Sequence, residues 1–129
     1  MATTPQQPPK KILLIEDDPA YRTVVLTTLR KAGVNCTICV DGDHAMKQLA
    51  KEKFDLLIVD YLLPGPNAVE IVRWTRAQGI NTPALIITNY PSEDLHQHTP
   101  TLGATKILAK TAFSPSNMPS IIQEMIGKR

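Results

Sequence analysis

Residues 12–19 read ILLIEDDP, four aliphatic side chains running straight into Glu16, Asp17 and Asp18. A second aliphatic run, DLLIVD, also ends on a carboxylate, Asp60. Two later runs, ALIITN and ATKILAK, deliver Thr88 and Lys110 at corresponding places. Crowded carboxylates repel one another, and they either take up protons or need a compensating cation. A hard divalent ion resolves that conflict. Magnesium takes octahedral oxygen ligands, usually one or two protein carboxylates with water and a phosphate. Each acid alone reads as well as a helix cap or a solvated loop residue. Together they make a metal site only if the fold carries them to one place.

The elements that must do so alternate along the chain. KILLI (11–15) is a strand with continuous apolar character, covered on both faces. Pro19 suits the first turn of a helix running through 20–31, with Asp18 as its N-cap and Val24, Val25, Leu26 and Leu29 on its apolar side. VNCTICV (34–40) is a second strand, and Asp43 can cap a helix whose apolar face is Ala45, Met46, Leu49 and Ala50. Strand three (55–60) precedes the loop YLLPGPN and a helix over about 68–78. Strands four (84–89) and five (104–109) flank PSEDLHQHTPTLG, which leaves room for only a brief helix because Pro100 interrupts it. Residues 118–126 form the last helix, with Ile121, Ile122, Met125 and Ile126 inward.

Apolar strands alternating with helices require a parallel sheet with right-handed crossovers. The expected fold is α/β: a doubly wound, five-stranded, flavodoxin-like sheet of order 2-1-3-4-5 in three layers. Ligands of such sheets bind beyond the carboxyl ends of the strands, where the order reverses. Strands one and three border that reversal. The acids of 16–18 and Asp60 should therefore share a cleft, with Thr88 and Lys110 on its rim. The first turn, ILLIEDDPA, holds none of the glycines that let backbone amides cradle a phosphate, so a dinucleotide or Walker-type site is not expected. A phosphoryl group could still arrive covalently, bridged to the acids by the cation.

ILLIEDDP, DLLIVDYLLPG, ALIITN and ILAK together resemble the successive motifs of the receiver domain of bacterial two-component response regulators (CheY-like), over residues 11 to about 127. The resemblance implies that Asp60 accepts a phosphoryl group from a histidine kinase or histidine phosphotransfer protein. It implies Mg2+ held by Asp17, Asp18, Asp60 and the backbone carbonyl of Leu62, with Glu16 as an auxiliary acid. It makes Thr88 the switch hydroxyl and Lys110 the partner of the acceptor or its phosphoryl group. Such a phosphoprotein takes up phosphate from a donor but is not a multiple-turnover enzyme. Its output is contact with a downstream protein or an attached output domain, and two copies can pair.

Departures from the family pattern are informative too. Thr111 stands where the family commonly has a cis proline, and a trans bond is strongly favoured there, so an altered loop or a displaced lysine is expected. Ile107 replaces an aromatic switch residue on strand five, and Tyr90 can take part of that role. Asn67 and Ala68 replace a common glycine, and Asn tolerates left-handed geometry. Leu62 and Tyr90 are bulky where the family controls hydrolytic water, which implies slow loss of the phosphoryl group. A receiver-like interaction module that no longer needs phosphorylation is the alternative reading. A metal-dependent phosphohydrolase is a distant third, since the short loops leave little substrate pocket.

Bulk properties narrow the field. The chain has 129 residues, enough for one domain, and 14 basic side chains against 12 acidic give a net charge of +2. That balance argues for no direct contact with nucleic acid or an anionic membrane. No apolar run is long enough to cross a bilayer, and the start, MATTPQQPPK, has no secretory core. Residues 1–10 read as a loose leader with few groups to bury, and 11–129 as the receiver domain. Cys36 and Cys39 have C-x-x-C spacing, but inside a β-branched strand rather than at a helix start, so they read as reduced structural cysteines and the location as cytoplasmic. His96 and His98 lie two apart and would diverge on a helix, which argues against a metal pair.

Overall fold

The computed structural model describes residues 10–90, 97, 102, 103 and 105–127. The leader through residue 9, His96, His98 and the expected brief helix before strand five lie outside the described residues. Strands β1 (Lys11–Ile15), β2 (Asn35–Cys39), β3 (Leu56–Asp60), β4 (Ala84–Thr88) and β5 (Thr105–Ala109) form one sheet of order β2-β1-β3-β4-β5. Every neighbouring pair is parallel. Helices α1 (Pro19–Lys31), α2 (Gly42–Lys51), α3 (Ala68–Ala77) and α4 (Met118–Ile126) flank it. This is the three-layer, doubly wound architecture anticipated from the alternating pattern.

Period-two alternation divides the core. Leu13, Ile15, Leu57, Val59, Ala84 and Ile86 pack with Ala45 and Leu49 of α2 and Ala68, Val69, Ile71 and Val72 of α3. Ile12, Leu14, Leu56, Ile58, Leu85 and Ile87 pack with Val25 and Leu29 of α1 and Met118, Ile122 and Ile126 of α4. Val24, expected inward, is 41% exposed, while Val25 and Leu29 carry the buried stripe. Cys39 belongs to the α2–α3 side and Cys36 packs on the α1–α4 side. Both are free thiols, and burial first of all pushes each up to about 11. They stay protonated near neutral pH and are poor nucleophiles. No helix among the described residues is long and apolar enough to cross a membrane.

Local signals fix where the helices start. Asp18 caps α1 by accepting the amide of Ala20 at 3.0 Å, and Pro19 follows in the first turn. The cap of α2 is Asp41 rather than Asp43. The extended backbone of Asp41 lets its carboxylate accept the His44 amide at 2.8 Å, and Asp43 falls inside the first turn. Asn67 needs no left-handed backbone: it is the extended N-cap of α3 in a reciprocal capping box with Glu70. Gly65 takes the left-handed position instead, at φ +76. Gly42 is required where α2 meets α3, since a Cβ there would lie 2.9 Å from Ile71 Cδ1 and 3.1 Å from the Pro66 carbonyl.

Candidate functional site

The same alternation that divides the core aims the reactive groups. Glu16 is next in the row of Ile12 and Leu14, Asp60 ends the row of Leu56 and Ile58, and Lys110 follows Leu108. β1 and β3 are adjacent, with Ile15 opposite Val59, so these rows finish side by side at the carboxyl edge. Thr88 follows Ala84 and Ile86, the row on the other side of the sheet, at the same edge.

The three rows meet in one charged cluster. Lys110 Nζ lies 2.8 Å from Glu16 Oε1 and 3.4 Å from Asp60 Oδ2. It donates a hydrogen bond to Asp60 and forms its shorter ion pair with Glu16. Glu16 is wholly buried and Asp60 nearly so. The second oxygen of Glu16, Oε2, accepts the Asp18 amide at 3.2 Å, and Arg22 donates to the Glu16 carbonyl at 3.2 Å. Burial, chiefly, raises the Glu16 carboxyl to about 7; the nearby Asp60 adds to the rise, and Lys110 opposes it. Lys110 is itself held up by Glu16 and Asp60, which outweigh the lowering effect of its burial. The ammonium stays charged while two carboxylates compete for it.

Glu16, Asp17 and Asp60 each offer an oxygen within 4.8 Å of the other two. An all-carboxylate set suits a hard oxygen-seeking divalent ion. The buried Glu16 Oε1 meets the Lys110 ammonium at 2.8 Å and, as a carboxylate oxygen, keeps a second lone pair for such an ion. This acidic triad can therefore hold a divalent metal. Its membership differs from the expected set of Asp17, Asp18, Asp60 and the Leu62 carbonyl with Glu16 as helper: Glu16 stands with Asp17 and Asp60, and Asp18 does not. Asp18 spends one carboxylate oxygen on the helix cap, while Glu16 is buried against Lys110.

The other expected residues surround this cluster. Thr88 is 2% exposed, and its Oγ1 accepts the Tyr90 amide at 3.1 Å, leaving the hydroxyl proton available to a further acceptor. Tyr90 and Leu62 are strongly exposed, at 79% and 62%. Ile107 packs inward with the α2–α3 core. The Lys110–Thr111 bond is trans, and Lys110–Ala112 forms a 3-10 turn. Lysine nevertheless reaches both acids. One neighbour was not anticipated from the sequence: Tyr21, in the first turn of α1, lies with its ring centroid 4.6 Å from Lys110 Nζ. Burial, then the charges of Glu16 and Asp60, pushes its phenol up to about 12, so it remains neutral.

The raised Glu16 carboxyl has a consequence for stability. The folded protein holds a proton there up to about 7, whereas the unfolded chain releases it near 4.5. The stabilising contribution is complete below the unfolded value and is lost as pH rises through the folded one. Metal-free protein is therefore expected to lose melting temperature between about pH 5 and about pH 8 through this group. Glu16→Gln should flatten that loss, and added magnesium should restore stability at the higher pH. Thermal melts in chelator and in magnesium check this. Equal pH slopes for the native chain and Glu16→Gln would contradict it.

A family model described as the response regulator receiver domain matches residues 12–123. The transcriptional activator PfeR of Pseudomonas aeruginosa is 31% identical over 103 residues, covering 80% of this chain and 33% of its own length. The response regulator receiver protein CpdR of Brucella abortus is 28% identical over 116 residues, 90% of this chain and 93% of that protein. The first curated relatives are longer, and this chain spans about a third to a half of their length. Among solved structures, chemotaxis protein CheY4 of Vibrio cholerae superposes with a TM-score of 0.84 at 30% identity, covering 92% of this chain and 99% of that one. The receiver domain of the Pseudomonas aeruginosa sensor histidine kinase PA1611, solved with magnesium coordinated in its active-site cleft, gives 0.82 at 28% identity, covering 93% and 99%.

Proposed function

The chain belongs to the response regulator receiver domain family, and from that premise we propose that it is a signalling phosphoacceptor: Asp60 takes a phosphoryl group from a phosphohistidine and thereby switches a protein–protein contact. The observation that carries this reading is the meeting of Glu16, Asp17, Asp60 and Lys110 at the carboxyl edge of the sheet.

In this reading Glu16, Asp17 and Asp60, with the backbone carbonyl of Leu62, hold Mg2+. When bound, that ion supplies positive charge against the transferring phosphoryl oxygens. Asp60 is the nucleophile. One of its oxygens forms the O–P bond as the P–N bond to the donor imidazole breaks, and the electron pair leaves on the ring nitrogen. The product is an acyl phosphate. Lys110 follows the charge as it moves from the carboxylate to the phosphoryl oxygens, supplying a second positive point charge. Thr88 donates its free hydroxyl proton to a phosphoryl oxygen and draws the loop after β4 inward, a shift between existing packings rather than a new fold. Asp18 serves through its cap of α1, and Leu62 and Tyr90 shield the acyl phosphate from water.

A histidine kinase or phosphotransfer protein is the donor, and the receiver of the signal is a soluble partner or an attached domain. Acetyl phosphate with magnesium is expected to add the mass of one phosphoryl group, and chelator should prevent the gain. Intact-mass spectrometry reads both. An unchanged mass with acetyl phosphate and with a kinase would favour the phosphorylation-independent interaction module instead.

A further inference from the structure

The contacts around Tyr21 form a closed circuit. The ring lies 4.6 Å from the Lys110 ammonium. The phenol donates to the backbone carbonyl of Phe113 at 3.2 Å, across 92 residues of sequence. The amide of Phe113 in turn donates to the carbonyl of Lys110 at 3.1 Å, closing the 3-10 turn. Phe113 itself is buried in the α1–α4 core, so the point that the phenol grips is rigid. One side chain thus touches the reactive end of Lys110 and anchors the turn from which that lysine departs.

We propose that Tyr21 is a positioning residue for Lys110, holding the ammonium between Asp60 and Glu16 through its ring and the lysine's backbone through Phe113. This rests on the phosphoacceptor reading above. A lysine needs such help because its ammonium is a point charge on a flexible four-carbon stem, with much rotamer freedom to lose. Glu16 and Asp60 alone would let it swing between two acids. An aromatic face adds attraction for the cation without adding a third charge to the cleft. The place matters for this chain in particular, since Thr111 follows the lysine through a trans bond and supplies no ring to stiffen the turn. Tyr21 can supply that stiffness from α1, whose own start is fixed by the Asp18 cap and Pro19.

Labelling of the full chain by acetyl phosphate in magnesium, followed across donor concentrations, tests the role. Tyr21→Leu is expected to lower the limiting rate by roughly tenfold while magnesium affinity changes less than about twofold. Tyr21→Phe keeps the ring but loses the bond to Phe113, and its rate should fall between those of the native chain and Tyr21→Leu. In a Lys110→Met background the Tyr21→Leu substitution should change the rate by less than about twofold, because the group it positions is gone. The proton spectrum gives a second reading: the side-chain methylene next to the Lys110 ammonium should carry an upfield ring-current shift that Tyr21→Phe keeps and Tyr21→Leu loses. Normal labelling of the native chain with Tyr21→Leu equally fast, or with costs that simply add to those of Lys110→Met, overturns the positioning role alone. No labelling of the native chain overturns the phosphoacceptor reading, and this role with it.

Discussion

Asp60→Asn is expected to abolish phosphoryl uptake, lowering the rate by at least about a thousandfold, because an amide is no nucleophile toward phosphorus. The substitution keeps the size and nearly the shape of the side chain, so the sheet edge should survive. Its second effect distinguishes it from simple damage. Asp60 is one of the causes that raise Glu16, and Lys110 is shared between the two acids. With residue 60 neutral, Lys110 can pair with Glu16 alone, and the Glu16 carboxyl should move down from about 7, though not to its ordinary value while it stays buried. Metal-free Asp60→Asn should thus lose less stability with rising pH than the native chain does. Intact mass and thermal melts on the same preparations read both effects. Residual labelling at the native rate would place the acceptor elsewhere.

Substitutions of Glu16 and Asp18 are expected to separate sharply in magnesium affinity. Glu16→Gln removes a buried carboxylate from the triad and should weaken binding by about tenfold or more. Asp18→Asn keeps an N-cap that accepts the Ala20 amide, and should shift affinity by no more than about threefold through lost long-range attraction. Asp18→Ala removes the cap as well and should cost about 1 kcal/mol of stability. Isothermal titration with magnesium decides between the two acids. A larger loss for Asp18→Asn than for Glu16→Gln would return the metal to the Asp17–Asp18 pair.

That contrast shows how far the residues could be read before the fold was known. The sheet order and the converging strand ends follow from apolar runs alternating with amphipathic helices, a signal spread over many residues. The choice among Glu16, Asp17 and Asp18 turns on one step of strand alternation. Glu16 continues the row of Ile12 and Leu14, which was legible, but an acid so close to the core reads as improbable until Lys110 is seen beside it. Asp18 gave two readings at once, cap and ligand, and the Ala20 amide shows the cap. The choice of Asp41 over Asp43 depended on which residue was extended, a backbone property that composition does not reveal. Tyr21 had no signal at all. Its contacts with Lys110 and Phe113 cross about ninety positions and exist only once α1 packs beside the turn after β5.

Manganese, which shares magnesium's preference for hard oxygen ligands, offers the decisive measurement by anomalous diffraction from crystals grown in its presence. One peak is expected, bonded to oxygens of Glu16, Asp17 and Asp60. A peak bonded to Asp18 in place of Glu16, or no peak at the carboxyl edge of β1 and β3, would contradict a cation shared by those three acids.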